Sequence, residues 1–215
     1  MLFRSRAFLG RVVRWALAQG ITQFLDLGSG VPTVGNVHEI AHDVDPDARV
    51  AYVDFEPVAV THAREIVGHL GTVSVTAADL RDPASVLSAP GVVDLLDLDR
   101  PVALLSVAVL HFIHDEDLAD VLARYRAALA PGSVQALSHA SLDQDDPVVA
   151  DRMRGTVAGY RGSATEVVAR SRAEIHALLG GLELVEPGMV DLVHWPVRRP
   201  QEEAVGGYAA VARIP

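Results

Sequence analysis

The chain contains no cysteine, which removes disulfides, thiolate metal centres and a cysteine nucleophile from consideration. It contains no lysine either, and all 18 of its basic residues are arginines. That excludes a phosphate-loop lysine, a pyridoxal-phosphate Schiff base and the Tyr-x-x-x-Lys pair of short-chain dehydrogenases. No apolar run is long enough to span a bilayer, and the arginine-rich start lacks the apolar core and cleavage site of a signal peptide. A cytoplasmic protein with no membrane partner is therefore expected. Positive charge is scarce as well, with 28 acidic residues leaving a formal charge of −10. Such a surface disfavours nucleic acid, so a small-molecule partner is expected, and a homodimer is compatible with the composition.

What is present is a globular pattern. At 215 residues and 50% hydrophobic content, the chain can bury one substantial core, and a single domain over residues 1–215 is expected, opened by an N-terminal helix in 1–20. Phe8, Val12 and Trp15 recur at helical spacing, with Leu9, Val13 and Ala16 beside them, and Gly20 closes that helix. Short β-rich runs at Ile21–Leu27, Arg49–Val53, Val73–Ala77, Pro101–Val109 and Ser133–Ser138 alternate with helical patterns. Two more strands, Leu182–Val185 and Tyr208–Ile214, flank a proline-rich connection. The alternation predicts an α/β fold, a Rossmann-like doubly wound sheet that is mostly parallel. Residues 91–100 are hard to assign, because Asp94, Asp97 and Asp99 interrupt the apolar pattern.

The stretch Phe24-Leu25-Asp26-Leu27-Gly28-Ser29-Gly30 reads as a buried strand running into a glycine turn and then a helix. Gly28 and Gly30 allow positive φ and a close backbone approach to a ligand. Asp26 stands at the strand's carboxyl end, where open α/β sheets place ligand-contacting groups. Asp54 follows the second strand in Tyr52-Val53-Asp54-Phe55, and Asp79 follows the third in Ala77-Ala78-Asp79-Leu80. Acids at strand ends often only cap helices and turns, but three of them after three consecutive strands point to one binding pocket. A nicotinamide-binding fingerprint would need a third glycine at position 33, which is Thr33 here.

These motifs resemble those of class I S-adenosylmethionine-dependent methyltransferases. The resemblance implies a seven-stranded sheet whose last strand is antiparallel, with S-adenosylmethionine as cofactor. It implies that Gly28, Ser29 and Gly30 pass the methionine and ribose portions and that Asp26 meets the ammonium. Asp54 would accept from the ribose hydroxyls, Phe55 would lie against the adenine, and Asp79 would accept from the adenine amine. Asn36, Leu80 and Ser106 complete the implied donor site. More narrowly, the run from Gly28 to Glu39 is similar to a bacterial S-adenosyl methyltransferase family formerly known only as a domain of unknown function. So are Val53-Asp54-Phe55-Glu56-Pro57, Leu110-His111-Phe112-Ile113 and Leu182-Glu183-Leu184-Val185-Glu186-Pro187-Gly188. Members are expected to carry an earlier segment with a Tyr-x-x-x-Gly-Gly-Lys-Asp-Asn-like motif, which this sequence lacks.

The expected activity is methyl transfer to an O or N atom of a small molecule. A donor-binding protein without turnover is the alternative. His111, after the central strand, is the candidate base toward the acceptor, with His114 and His139 behind it, and Tyr160 and Arg161 are candidates to face the acceptor. A second motif, His38-Glu39-Ile40-Ala41-His42, satisfies His-Glu-x-x-His and would suit a zinc hydrolase, with Glu65 as the nearest third ligand. Asn36 followed by Glu39 also reads as a helix cap, which accounts for the glutamate without a metal, and no metal site is expected.

Overall fold

The computed structural model describes residues 2–31, 35–114, 117–160, 162, 166–197 and 203–215, the side chains of residues 2 and 3 excepted. Helix α1 (Leu2–Ala18) leads into strand β1 (Gln23–Leu27), and α2 (Val37–His42), β2 (Arg49–Asp54), α3 (Pro57–Val67) and β3 (Val73–Ala77) follow. Two short helices, α4 (Pro83–Ser88) and α5 (Pro90–Val93), precede β4 (Ala103–Val107). Then come α6 (Leu118–Ala127), β5 (Val134–Ala140), α7 (Pro147–Gly159) and α8 (Arg172–Ala177). The chain closes with β6 (Glu183–Leu184), β7 (Val190–Asp191) and β8 (Gly207–Arg213).

One sheet runs in the order β3-β2-β1-β4-β5-β8-β6. Its first five strands are parallel. Strand β8 lies antiparallel against β5, as the resemblance implied. The proline-rich connection holds an additional short strand: β6 pairs with one end of β8 and β7 with the other, so both occupy the seventh position. Sequence periodicity missed β7 because two residues carry no period. The segment 91–100 resolves into the end of α5 and turns, with Gln23 donating to Asp97 O at 2.9 Å and accepting from its N–H at 2.7 Å.

Successive strand residues enter opposite faces, as a pleated strand requires. Phe24, Val50, Ala103 and Ala136 pack with α1 and α2, whereas Leu25, Ala51, Leu104 and Leu137 pack with α6 and α8. This two-sided burial explains why the central strands are apolar throughout. On the α1 face, Trp195 is fully buried, with Phe8 and Trp15 edge-on at 5.6 and 5.8 Å. Arg11 donates to the carbonyls of Trp195 at 2.5 Å and Leu192 at 2.6 Å, tying the late connection to the first helix. Replacing Trp195 with Ala should destabilise the protein by about 3–5 kcal/mol, measured as a lower urea midpoint at unchanged slope.

Candidate functional site

The carboxyl ends of β1 to β4 open into a cavity of about 630 Å³, also bounded by Ser5, Arg6 and Leu9 of α1. Its floor is the turn after β1. Gly28 and Gly30 have φ of +69° and +66°, a region that disfavours side chains. A Cβ on Gly28 would collide with Val109, while the corresponding position on Gly30 faces open space. The N–H groups of Gly28 and Ser29 donate to Val53 O at 2.8 and 3.2 Å. Gly30 N–H donates to Asp54 Oδ2 at 2.7 Å, and Asp54 Oδ1 accepts from Glu56 N–H at 2.9 Å. The turn is therefore stitched to the end of β2 through both backbone and carboxylate.

Asp26 is 6% exposed, and burial together with the Asp54 charge pushes its carboxyl up to about 7, with Arg6 acting in the opposite sense. Asp79 is different. It accepts from Arg81 side-chain nitrogens at 2.5–3.0 Å and from Arg81 N–H at 2.9 Å, which holds its carboxyl below the usual range. At the end of β4, Ala108 has φ +60°, and it is the only non-glycine residue with positive φ among the described residues. Ala108 N–H donates to Ser138 Oγ at 3.0 Å, and a 3-10 turn (Leu110–Phe112) follows at once. That bend ends β4 earlier than the apolar run Pro101–Val109 predicts.

Asp26, Gly28, Ser29, Gly30, Asn36, Asp54, Phe55, Asp79 and Leu80 all line this one cavity. Ser106 and His111 do not. Ser106 is fully buried within β4, its Oγ 3.4 Å from Ala136 O, because the alternation of the strand turns it into the sheet's packed face. The expectation that His111 faces the cleft is corrected: the bend at Ala108 tucks its ring underneath, 5% exposed, against Phe112 and His139. Burial, then the His139 and Arg170 charges, push His111 down to about 3. His139 is also buried, while His114 lines the cavity. Tyr160 is part-exposed beside Phe112, and Arg161 lies outside the described residues. Sequence reading missed Arg6, Tyr52, Arg81, Phe112 and Glu166 as lining residues. Of these, Phe112 stood inside the Leu110-to-Ile113 motif and Tyr52 inside the stretch that ends in Asp54 and Phe55.

The His-Glu-x-x-His motif is used by the fold. Glu39 Oε2 accepts from the N–H groups of Gly35 and Asn36, at 2.8 Å each. His38 N–H donates to the Tyr52 hydroxyl at 2.9 Å, and the same hydroxyl lies 2.8 Å from His38 Nδ1. His42 Nε2 is 3.0 Å from Ala48 O and 3.2 Å from Thr72 Oγ1. Glu65 sits beside His62 at 3.6 Å. Among the described residues no three such side chains gather as metal ligands, and no helix is long and apolar enough to cross a membrane.

An open sheet of this order, with a reversed strand after β5 and a glycine turn facing strand-end acids, is the Rossmann-like architecture of methyltransferases. The N-methyltransferase NodS from Bradyrhizobium japonicum WM9 shares the fold, with a TM-score of 0.61 at 18% identity over 99% of this chain and 97% of its own. Closer similarity narrows the class. The sequence matches the S-adenosyl methyltransferase family over residues 1–215, and the chain belongs to that family. Its donor is S-adenosylmethionine. A crystal structure of a candidate methyltransferase from Thermobifida fusca YX has a TM-score of 0.89 at 37% identity, covering 99% of this chain and 80% of that one. A DUF574 family protein from Streptomyces avermitilis MA-4680 also reaches 0.89, at 36% identity over 100% and 84%. Comparison with curated proteins returns no match.

The raised Asp26 carboxyl has a consequence for stability. Its folded-state value lies near 7, above the unfolded value near 3.8, so its contribution is fully present at low pH and is lost as pH rises through about 7. Asp26→Asn should therefore gain stability over the parent between pH 4 and 8, by up to a few kcal/mol, in urea unfolding at a series of pH values.

Proposed function

We propose that the chain transfers a methyl group from S-adenosylmethionine to an oxygen or nitrogen atom of a small molecule. The observation that carries this reading is the convergence of Asp26, Asp54 and Asp79, from three separate strand ends, on one cavity beside the glycine turn. The residues present suit the donor. Asp54 has both carboxylate oxygens fixed by backbone N–H groups, so it is held ready to accept from two ribose hydroxyls along its remaining lone pairs. Buried Asp26 meets the ammonium, Asp79 accepts from the adenine amine, and exposed Phe55 at the rim covers the base. When bound, the donor supplies an electrophilic methyl carbon on a sulfonium. The protein's part is to hold the acceptor in line and exclude water, which proximity makes worth about 7–11 kcal/mol in the best cases. The cavity of about 630 Å³ and the −10 charge, which repels a polyanion, support a small acceptor.

Isothermal titration with S-adenosylhomocysteine tests the site. Asp54→Ala and Asp79→Ala should each weaken binding by about tenfold or more, as loss of a charge-assisted hydrogen bond implies. Unchanged affinity in both would refute the assignment. Because an ammonium beside Asp26 favours its ionised form, binding below pH 7 should release protons. The measured enthalpy should then depend on the buffer at pH 6 and lose that dependence in Asp26→Asn.

A further inference from the structure

The acids proposed for the donor come from β1, β2 and β3, which form one half of the parallel sheet. Strand order reverses between β1 and β4, and in such sheets the ligand crevice spans that switch point. The other half of the cavity, past the end of β4, is therefore left for the acceptor. Its wall is Val109, Phe112, Ile113, His114 and Glu166. Phe112 is 37% exposed, and the part-exposed Tyr160 ring lies 6.4 Å away at 57°. The cavity's two arginines, Arg6 and Arg81, stand elsewhere, on α1 and after β3. Among the described residues of this wall Glu166 is a carboxylate and none is an arginine, so an anionic acceptor would be repelled there.

This wall is held rigidly. Arg170 donates to Leu110 O and Ile113 O, at 2.9 Å each, and lies 2.8 Å from His139 Nε2, while Val168 N–H donates to His111 O at 2.8 Å. Phe112 and His114 thus sit on a clamped turn. His114 Nε2 lies 3.3 Å from Glu166 O, a partner that only accepts. Nε2 is then the donor nitrogen, and Nδ1 keeps its lone pair for a proton.

We propose, on the methyl-transfer reading above, that the acceptor is an uncharged planar aromatic ring bearing a hydroxyl, stacked against Phe112 and methylated on that oxygen with His114 as general base. Phe112, backed by Tyr160, selects the ring together with the apolar Val109 and Ile113, and Glu166 selects against its acids. An aryl amine nitrogen carries a free lone pair, whereas an aryl hydroxyl is protonated near neutrality and gains from a base. His114 takes the hydroxyl proton as the oxygen–methyl bond forms and the methyl–sulfur bond breaks. The positive charge passes from sulfonium to imidazolium, which then loses its proton to solvent.

The test titrates protein saturated with S-adenosylhomocysteine against 2-naphthol, 4-hydroxybenzoate, 2-naphthylamine and cyclohexanol, and assays transfer from S-adenosylmethionine carrying a labelled methyl group. Binding and O-methylation of 2-naphthol in preference to the other three is expected. Phe112→Ala should weaken 2-naphthol by about tenfold while S-adenosylhomocysteine affinity holds. His114→Ala should lower kcat about 10²-fold at pH 7 and recover as pH approaches the ionisation of the naphthol itself, a recovery that lost packing would not produce. Preference for the amine, the acid or the alcohol, or no binding of 2-naphthol to protein that binds S-adenosylhomocysteine, overturns this inference and leaves the donor reading standing. Failure to bind S-adenosylhomocysteine overturns both.

Discussion

The carboxylate of Asp54 is the interaction on which the rest of the site depends. One oxygen takes the N–H of Gly30 and the other takes that of Glu56, so a single side chain joins the glycine turn after β1 to the end of β2. Both bonds are charge-assisted and lie where water is largely excluded, which makes them stronger than neutral ones. They place a turn with two left-handed glycines and a strand-end acid in fixed register. Asp26 is buried in that frame, and its burial first, with the Asp54 charge second, raises its carboxyl.

A second constraint comes from the opposite wall. Ala108 holds a backbone conformation that costs a non-glycine residue of order 1 kcal/mol, and the Ser138 hydroxyl on the neighbouring strand holds it there. The bend takes the chain out of β4 and across the cavity, so Val109 packs where a Gly28 side chain would stand. It also carries His111 below the surface and brings Phe112 and His114 to it. Three residues after the bend the His111 imidazole is buried, and six after it His114, the lesser candidate in the sequence reading, lines the cavity.

Much of this was legible in the sequence, for physical reasons that mark where legibility stops. Parallel strands buried on both faces write continuous apolar runs, so β1 to β5 are readable, and the glycine turn and strand-end acids have local signatures. Strand β7 is two residues long, too short for any period. The positive φ of Ala108 has no residue signature, since alanine does not advertise it, and the fate of His111 hangs on that one angle. Arg6 lines the cavity because α1 packs across the sheet ends, a tertiary fact that an amphipathic pattern does not contain. The His-Glu-x-x-His spacing is real, yet a Tyr52 hydroxyl one strand away and two N–H groups one turn back decide its use.

Helix α1 serves two masters. Phe8, Val12 and Val13 bury its apolar face in the core, while Ser5, Arg6 and Leu9, one turn toward its start, form part of the cavity wall. A ligand that touches Ser5, Arg6 or Leu9 therefore adds its binding free energy to the packing that holds this helix on the core.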